Sequence, residues 1–455
     1  MLRLGSRVRT NVPNCFMRFP PDNPTLFAEN ASPWAAMSDY IAGRTQGTYP
    51  VHLSDAHRLQ HVYVVGRTGA GKTTLLETLM RQDLERGHGF AFFDPHGDLA
   101  DRLLYRVPHW RTRHTLYFHP ADLEHPMPFN ILAQVPQDQR HLVVSAVVST
   151  VKRLWPDSWG PRTEHLLRNA TFALLEAPGA TLLDIPRLLT DPRYRDRILP
   201  RITNPAVRAF WLREFASYSP DFRNEVIAPL QNKLGTFLAV PPLRNILGQR
   251  VNLFDLRTLM DRGHVFIANL SKGELGEDSS ALLGSLLLTR FLLAALSRAD
   301  TPEEERRPFH VYVDEFPSFA APSTLSTFLS EARKYATGLA LAHQHLAHLP
   351  DELRGAIFGN VGTLAAFQVS AEDADYLARE FEPTFTRAHL TNLDRYHFLL
   401  RLTGTPAPFL ARTIAPSPLP ELGPRERAYL LRHSRRRYTR PRSLIDRTTA
   451  KRLTA

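Results

Sequence analysis

Residues 66–73 carry the spacing G-x-x-x-x-G-K-[ST], between an apolar run at 61–65 and an apolar helical stretch. Three glycines in the octet let the backbone curl so that its amides point at phosphate oxygens, and the following helix N-terminus adds favourable partial charge. Lys72 is expected to reach the β- and γ-phosphates of ATP, and the Thr73 hydroxyl to bind Mg²⁺. The pattern therefore predicts a nucleotide site built from Gly66, Arg67, Thr68, Gly69, Ala70, Gly71, Lys72, Thr73 and Thr74.

A second constellation is the acidic pair in the segment FHVYVDEF. Asp314 and Glu315 follow a continuous apolar strand, and ligands bind at the carboxyl ends of strands in open parallel sheets. Asp314 is expected to hold Mg²⁺, while Glu315 polarises the attacking water as general base. An Asp-Glu pair alone would be a solvated strand end, and the upstream phosphate loop is what favours the functional interpretation.

Two further residues become candidates beside these motifs. Gln344 follows the strand of GLALAHQ and is expected to sense the γ-phosphate or the attacking water. Arg333, in SEARKYATG, is a candidate arginine finger that contacts the phosphate of a neighbouring subunit. The alternative for each stays open, since a helical arginine is normally a surface group and a glutamine after a strand is normally a loop residue.

The remaining polar clusters carry weaker signals. In FFDPHGD, Asp94 is expected to line the site, whereas His96 and Asp98 are candidates to cap the next helix. Three closely spaced histidines lack an accompanying carboxylate or cysteine set, so we predict that they are loop residues and not a zinc site: His343, His345 and His348.

These residues need a parallel sheet to bring them together. Short apolar runs alternate with helical stretches, which is typical of strands joined by crossover helices. Strands are predicted at 61–65, 89–93, 115–118, 265–269, 310–313, 339–342 and 364–368, with an edge hairpin at 397–402 and 409–413. The pattern predicts an α/β fold with a mostly parallel sheet flanked by helices, and the phosphate loop within it is typical of P-loop NTPases.

The pattern along the sequence also predicts that the chain is divided into four parts. Residues 1–60 are rich in proline and predicted to be an irregular segment with short elements. Residues 61–136 and 250–415 form the ATPase core, and 137–249, where strand patterns disappear, form an all-helical insertion. Residues 416–455 form a basic C-terminal tail.

Composition limits the setting. The chain has 455 residues, 43% of them hydrophobic and 22% charged, which is the range of globular proteins. The single cysteine, Cys15, can form neither an internal disulfide nor a cysteine zinc site, and it indicates a cytoplasmic protein. The apolar stretch 279–297 is long enough to span a bilayer, but Arg290 near its middle favours a buried core helix.

Positive charge is concentrated at the C-terminus. From Arg425 onward there are 11 Arg or Lys residues against two acidic ones, out of a net charge of +11 for the whole chain. This tail is suited to nucleic acid phosphates or an anionic membrane face, and a solvated, poorly ordered tail is the alternative. No secretory signal pattern is present at the N-terminus.

Taken in order, GRTGAGKT, FFDPHGD, the helical insertion, VFIANLSKG, VYVDEF, EARKYATG and AHQ resemble the HerA/FtsK superfamily of ring ATPases. The chain is most similar to type IV secretion coupling proteins, over roughly residues 50–382. The resemblance implies a RecA-like P-loop NTPase fold and a hexameric ring that moves DNA through its pore, with ATP bound between subunits. It also implies that Gln344 is the sensor and Arg333 the arginine acting in trans.

One departure from that family affects the expected setting. Conjugative members usually begin with membrane helices, and residues before His61 contain none. We therefore expect a cytoplasmic protein that acts on DNA there or that is peripheral to the inner membrane through a partner such as a relaxase or secretion-channel protein. The competing hypothesis is a docking protein that recruits cargo through 137–249 and uses ATP mainly to assemble. An ABC-type ATPase is disfavoured because the LSGGQ signature is missing.

Overall fold

The computed structural model of the chain describes residues 40–45, 50–319, 321–414 and 423–454. Within these ranges the strands form a single eleven-stranded sheet. They are β1 (Tyr40–Thr45), β2 (Pro50–Leu53), β3 (Val62–Val65), β4 (Gly89–Asp94), β5 (Thr115–Phe118), β6 (Val265–Asn269), β7 (Phe309–Val313), β8 (Thr337–His343), β9 (Thr363–Ala366), β10 (His397–Leu402) and β11 (Phe409–Arg412).

The strand order is β2-β1-β11-β10-β9-β3-β8-β7-β4-β6-β5. Strands β9 to β5 in this order are mutually parallel. Their carboxyl ends therefore lie together at one end of the strands. The predicted α/β fold with a mostly parallel sheet is confirmed. The predicted hairpin forms as the antiparallel pair β10–β11, but it does not lie at the edge of the sheet because β1 and β2 pair beyond it.

The described part of the N-terminal segment is more regular than predicted. Strands β1 and β2 extend the main sheet, and a short helix follows at Asp55–Leu59. Alternation alone could not identify β1, because the sequence YIAGRT contains a glycine and an arginine. The rest of the predicted irregular segment, residues 1–39 and 46–49, lies outside the described residues.

The α-helices are α1 (Asp55–Leu59), α2 (Lys72–Arg86), α3 (Asp98–Leu104), α4 (Arg140–Leu154), α5 (Pro161–Leu175), α6 (Ile185–Thr190), α7 (Pro192–Ile198), α8 (Pro205–Ala209), α9 (Pro220–Ala239), α10 (Pro241–Leu247), α11 (Leu256–Asp261), α12 (Lys272–Leu275), α13 (Glu277–Leu296), α14 (Pro322–Glu331), α15 (Asp351–Asn360), α16 (Ala371–Phe381), α17 (Arg387–Thr391), α18 (Pro424–Tyr438) and α19 (Arg442–Thr454). Several begin with proline, whose fixed φ suits the first helical turn.

The central strands are buried on both faces, which explains their continuous apolar sequences. Successive side chains alternate between two hydrophobic cores. In β3, Val62 and Val64 pack on the face that carries α2 and α3, while Tyr63 and Val65 join the core formed with α13 and α14. Burial of each such side chain stabilises the folded state by about 1.5–3 kcal/mol.

Between β5 and β6 the described chain contains only helices and loops, from α4 to α11. This helical insertion packs through α4 against α13, and its apolar side chains belong to the same core cluster as one face of the sheet. Five aromatic side chains contact one another in succession within it, and one of them, Trp211, is fully buried: Phe210, Trp211, Phe215, Tyr218 and Phe222.

The long apolar stretch forms α13, which packs inside the protein. One described helix, Glu277–Asp300, is long and apolar enough to cross a membrane, and 89% of its most apolar window is buried in the fold. The predicted buried core helix is therefore confirmed. Burial lowers the pKa of Arg290 on this helix, and the nearby Asp255 opposes that shift.

The basic C-terminal segment forms two helices where the structure describes it. Helix α18 packs along β5, where Ser434 Oγ accepts a hydrogen bond from the Tyr117 amide at 3.1 Å. Arg435 contacts Asp122 at 2.8 Å, and Arg442 contacts Glu124 at 3.3 Å. A poorly ordered tail is therefore wrong for 423–454, because these contacts fix both helices on the body of the protein.

Candidate active site

The glycine-rich octet forms a tight loop between β3 and α2. Its first amides donate to the neighbouring strands, from Gly66 to His343 O at 3.2 Å and from Arg67 to Gln368 O at 2.8 Å. Gly71 has φ of 124°, and a Cβ there would lie 2.9 Å from the Phe367 ring. Only glycine tolerates this backbone and this close approach. The loop therefore has the geometry of a phosphate-binding turn at a helix N-terminus.

Lys72 is the first residue of α2 and its side chain is buried, with 5% exposure. The ammonium folds over the loop and donates to Gly66 O at 2.7 Å and to Arg67 O at 3.2 Å. Burial lowers the pKa of Lys72, and the carboxylates of Glu315 and Asp314 oppose that shift. Lys72 thus lies beside both acidic residues, as the two motifs predict.

Asp314 follows β7 and is held at the edge of the sheet. Its amide donates to Phe93 O at 3.2 Å, and its carboxylate accepts from the Glu315 amide at 3.0 Å. Burial raises the pKa of Asp314 to about 6; the carboxylates of Glu315 and Asp94 add to the rise, while Lys72 opposes it. Asp314 therefore binds a proton more tightly than an exposed aspartate does, chiefly because of burial.

Glu315 adopts a left-handed backbone conformation, with φ of 43° and ψ of 52°. Such a conformation is uncommon for a residue with a side chain and turns the chain sharply out of the strand. Burial by itself would raise the pKa of Glu315, but hydrogen bonds with His343 and Gln344 and the charge of Lys72 outweigh it and lower the pKa. The carboxylate is therefore kept ionised, as a base must be.

Gln344 lies between the two motifs because β8 separates β3 from β7 in the sheet. Its Oε1 accepts a hydrogen bond from Thr68 Oγ1 of the loop at 2.5 Å, and its side chain also bonds Glu315. The amide therefore connects the phosphate loop to the acidic pair. This contact agrees with the position expected for a sensor, while the sensing role itself stays a prediction.

The prediction that His343 is a loop residue is wrong. It is the last residue of β8, it is buried, and its Nδ1 lies 3.4 Å from Glu315 Oε2. The parallel register places His343 opposite Val65, directly before the phosphate loop. His345 and His348 lie in the following turn. The described residues contain no group of three or more His, Cys, Asp or Glu side chains arranged to hold a metal ion.

Asp94 caps the start of α3, which is the role expected of His96 or Asp98. Its two carboxylate oxygens accept hydrogen bonds from the amides of His96 at 2.9 Å and Ala100 at 2.8 Å. It therefore stabilises the start of α3, and the expectation that His96 or Asp98 caps this helix is wrong. Asp94 still lies near the site, since its charge raises the pKa of Asp314.

Arg333 is not brought to this site. It lies exposed in the short helix Ala332–Tyr335, directly before the amino end of β8, whereas the phosphate loop lies at the carboxyl ends of the strands. The seven residues of β8 separate the two by roughly 23 Å, at about 3.3 Å per residue. Arg333 therefore contributes nothing to its own chain's site, and its action in trans stays a prediction.

Two residues at this site were missed in the sequence. Arg395 Nε donates to Gly69 O at 3.0 Å, and the Tyr396 amide donates to Ala70 O at 2.7 Å. The Arg395 guanidinium also lies 4.8 Å from the Tyr396 ring centroid. They precede β10 in a loop that no motif marks, so only the pairing of β9 with β3 and β10 brings them to the phosphate loop.

The residues present fit a nucleotide with Mg²⁺. Asp314 supplies a carboxylate and Thr73, in the first turn of α2, a hydroxyl, and both are oxygen ligands that Mg²⁺ prefers. A divalent cation would also offset the charges of Glu315 and Asp94, which add to the effect of burial on the pKa of Asp314.

Fold and site together define a P-loop nucleotide-binding protein with a RecA-like sheet. The family model described as DUF87, helicase HerA, central domain, matches residues 45–288. The chain therefore belongs to the HerA central-domain family. A search of curated protein sequences gave no significant match.

Solved structures support the fold over most of the chain. The bacterial conjugative coupling protein TrwBΔN70 superposes with a TM-score of 0.63 at 15% identity, covering 87% of this chain and 93% of that chain. TrwB in complex with ADP and Mg²⁺ gives 0.61 at 16% identity, covering 84% and 92%. VirB4 of Thermoanaerobacter pseudethanolicus gives 0.58 at 12% identity, covering 86% and 98%. At these identities the likeness establishes the fold.

Proposed function

We propose that the chain is an ATP-hydrolysing ring motor that moves DNA, of the type represented by conjugative coupling proteins. The observation that carries the proposal is the meeting of Lys72, Asp314, Glu315 and Gln344 at one edge of the sheet. Family membership and the likeness to TrwB and VirB4 support the same class of motor. A cytoplasmic location, peripheral to the inner membrane through a partner, belongs to the proposal.

The residues have separate tasks in hydrolysis. Lys72 and the amides of the loop bind the β- and γ-phosphates, and bound Mg²⁺ would be held by Thr73 and Asp314 to neutralise phosphate charge. Glu315 accepts a proton from water as the water oxygen attacks the γ-phosphorus, and the bond to the ADP oxygen breaks. The products are ADP and inorganic phosphate. Gln344 orients Glu315 and Thr68 toward the reacting groups.

The proposed arginine finger, Arg333, is the one candidate residue that lies far from the phosphate loop of its own chain. Arg333 lies at the opposite edge of its own sheet, so a neighbouring copy in a ring is the partner that brings it to a nucleotide. We propose a homo-oligomer, of hexameric type, with ATP bound between subunits. We propose that each subunit is divided into four parts: an N-terminal segment, an ATPase core, a helical insertion and a basic C-terminal part.

ATPase measurements on the full-length protein with and without DNA test this function. We expect DNA to stimulate turnover, and Lys72→Ala to abolish it while leaving the fold intact, because Lys72 is the principal cation on the phosphates. Lys152→Ala is the matched control, since Lys152 is an exposed lysine on the insertion helix α4. It should retain wild-type turnover.

The outcomes separate the two functional classes. If turnover depends on Lys72 but is unchanged by DNA of any length at low salt, the DNA motor is contradicted and a nucleotide-dependent docking protein takes its place. If the purified oligomer hydrolyses no ATP and Lys72→Ala changes nothing, the ATPase itself is contradicted.

A further inference from the structure

A second polar cleft lies away from the nucleotide site, between the helical insertion and the C-terminal helices. Its volume is about 590 Å³. One wall is formed by the turn after α5 and by α7, and the other by the start of α19 and the loop before it. Five arginines and a single carboxylate line it: Arg187, Arg197, Arg201, Arg250, Arg440 and Asp184.

The lining of the cleft has five guanidinium groups and one carboxylate. Asp184 is buried, with 2% exposure, and its Oδ2 accepts hydrogen bonds from the amide of Thr181 at 2.8 Å and from its hydroxyl at 3.3 Å. It is thus engaged in capping the local turn. Arg187 pairs with Asp191 at 3.2 Å. None of the four other arginines forms an ion pair with a carboxylate in the ranges of the chain that the structure describes.

Some of the arginine side chains contact the surrounding structure. The ring of Tyr194 lies close to two of the guanidinium groups, with its centroid 4.7 Å from Cζ of Arg187 and 5.7 Å from Cζ of Arg197. The stem of Arg250 runs over Gly179, where φ is 70° and a Cβ would lie 3.2 Å from Arg250 Cδ. Side chains ordered in this way lose less entropy when they bind an anion.

The C-terminal wall is also anchored. The Arg440 amide donates to Pro126 O at 3.3 Å and the Arg442 amide to Glu124 O at 3.0 Å. Ile445 is buried, with 3% exposure, whereas Leu444 at the rim is 49% exposed. These contacts hold the C-terminal wall on the loop that follows β5, and the fold thus brings Arg440 to the same cleft as Arg197, which is far away in the sequence.

We propose that this cleft binds the phosphate backbone of a nucleic acid strand. Arginine forks match phosphate oxygens, and a strand carries one charge every ~3.4 Å, which suits several guanidiniums in one cleft. An acidic peptide is the less suitable ligand, because its main-chain amides need acceptors and the one carboxylate of the cleft is already hydrogen-bonded. Recognition is independent of base sequence, since arginine contacts to phosphates carry no sequence information.

This inference rests on the proposed action on DNA and adds a site for the strand outside the ring's nucleotide interface. It predicts that the cleft contributes to affinity and not to the chemistry of hydrolysis. Variants in the cleft should therefore leave ATP turnover without DNA unchanged.

The test uses the full-length protein and fluorescein-labelled oligonucleotides of about 20 residues, single-stranded and duplex, in anisotropy titrations over a range of salt. In Arg197→Glu/Arg201→Glu we expect affinity to fall roughly tenfold or more, and the salt slope to decrease by about 1.4–1.8, which is 0.7–0.9 for each lost phosphate contact. Arg197→Gln/Arg201→Gln should also lower the affinity, but by a smaller factor.

Arg208→Glu/Arg213→Glu is the matched control. Both residues are exposed arginines of the same insertion, outside the cleft, and the change in charge is identical. Its affinity and salt slope should stay close to those of the wild type. All four positions are on the surface, so circular dichroism should show an unchanged fold.

The results separate failure of this inference from failure of the proposed function. If the wild type binds and is stimulated by DNA but cleft and control variants lose affinity equally, the cleft site is overturned and the motor stands. If the wild type binds no oligonucleotide at any salt, both are overturned. Competition by poly-glutamate as strong as that by DNA, removed by the cleft variants, would make an acidic peptide the ligand and overturn the proposal.

Discussion

At the scale of single residues, the reactivity of Glu315 depends on its neighbours. Its carboxylate is held by His343 and Gln344 and lies near Lys72, and these interactions together lower its pKa. His343 also packs against Phe316, with ring centroids 5.3 Å apart. We therefore propose that His343 is a positioning residue, which keeps the proposed base both oriented and ionised.

Replacing this histidine should change the chemical step more than nucleotide binding. In His343→Phe the ring volume is kept but the contact with Glu315 is lost, so we expect kcat for ATP hydrolysis to fall about five- to tenfold, the equivalent of a hydrogen bond of about 1 kcal/mol. KM for ATP should change little. The pKa of Glu315 rises when this contact is lost, so the acid limb of the pH–kcat profile should move to higher pH.

His345→Phe provides the control, because His345 lies in the turn after the strand and carries no contact with Glu315. It should leave both kcat and the pH profile unchanged. A pH profile of His343→Phe identical to that of the wild type would contradict the positioning role.

At the scale of secondary structure elements, the helical insertion and α13 together hold the turn that follows Asp314. Arg153 of α4 donates to Pro317 O at 2.9 Å and to Ser318 O at 3.2 Å. On α13, Ser285 Oγ donates to Phe319 O, and Gly284 leaves the space that the Phe319 ring occupies. These contacts link the insertion physically to the turn that carries the base.

Closing that space should destabilise the protein and slow hydrolysis together. A Cβ at Gly284 would lie 2.2 Å from Phe319 Cδ1, so Gly284→Ala must displace the turn. We expect a loss of about 1–3 kcal/mol in the free energy of unfolding, measured with urea, together with a lower kcat.

Gly355→Ala is the control on another helix. Gly355 is exposed on α15 and nothing lies within 4 Å of a Cβ built there. Alanine should stabilise this helix by about 0.5–1 kcal/mol and leave kcat unchanged. Equal stabilities of Gly284→Ala and the wild type would show that the turn accommodates the extra carbon without cost.

At the scale of the whole molecule, each subunit carries its phosphate loop and Arg333 at opposite edges of one sheet. In the proposed oligomer, an Arg333 that acts in trans would repeat the same contact between successive copies, which closes into a ring when the rotation permits. The arginine and the loop would then be complementary halves of one interface.

Mixing two inactive variants tests this arrangement. Arg333→Ala and Lys72→Ala chains in equal amounts should recover about a quarter of wild-type ATP turnover, since in a randomly mixed ring this fraction of interfaces combines an intact loop with an intact neighbouring arginine. Lys72→Ala mixed with Glu315→Gln is the control and should recover nothing, because both defects lie in the same half of the site. Absence of rescue in rings shown to be mixed would contradict action in trans.

The features of this protein that depend on local spacing could be predicted from the sequence. A phosphate loop is made by consecutive backbone amides, so the octet at 66–73 was sufficient to predict it. Asp314 and Glu315 were predictable because a continuous apolar strand ends directly before them. The alternation of strands and helices likewise indicated the parallel sheet and the helical stretch inserted into it.

The distant residues that contact these motifs could be identified only from the strand order and packing of the folded protein. Strand order places β8 between β3 and β7, which brings His343 to Glu315, and it brings Arg395 to the phosphate loop. The arginine cleft likewise joins side chains from the insertion and the C-terminal helices. Such contacts depend on long-range pairing and packing and leave no periodic signal along the chain, whereas the phosphate loop is encoded by eight consecutive residues.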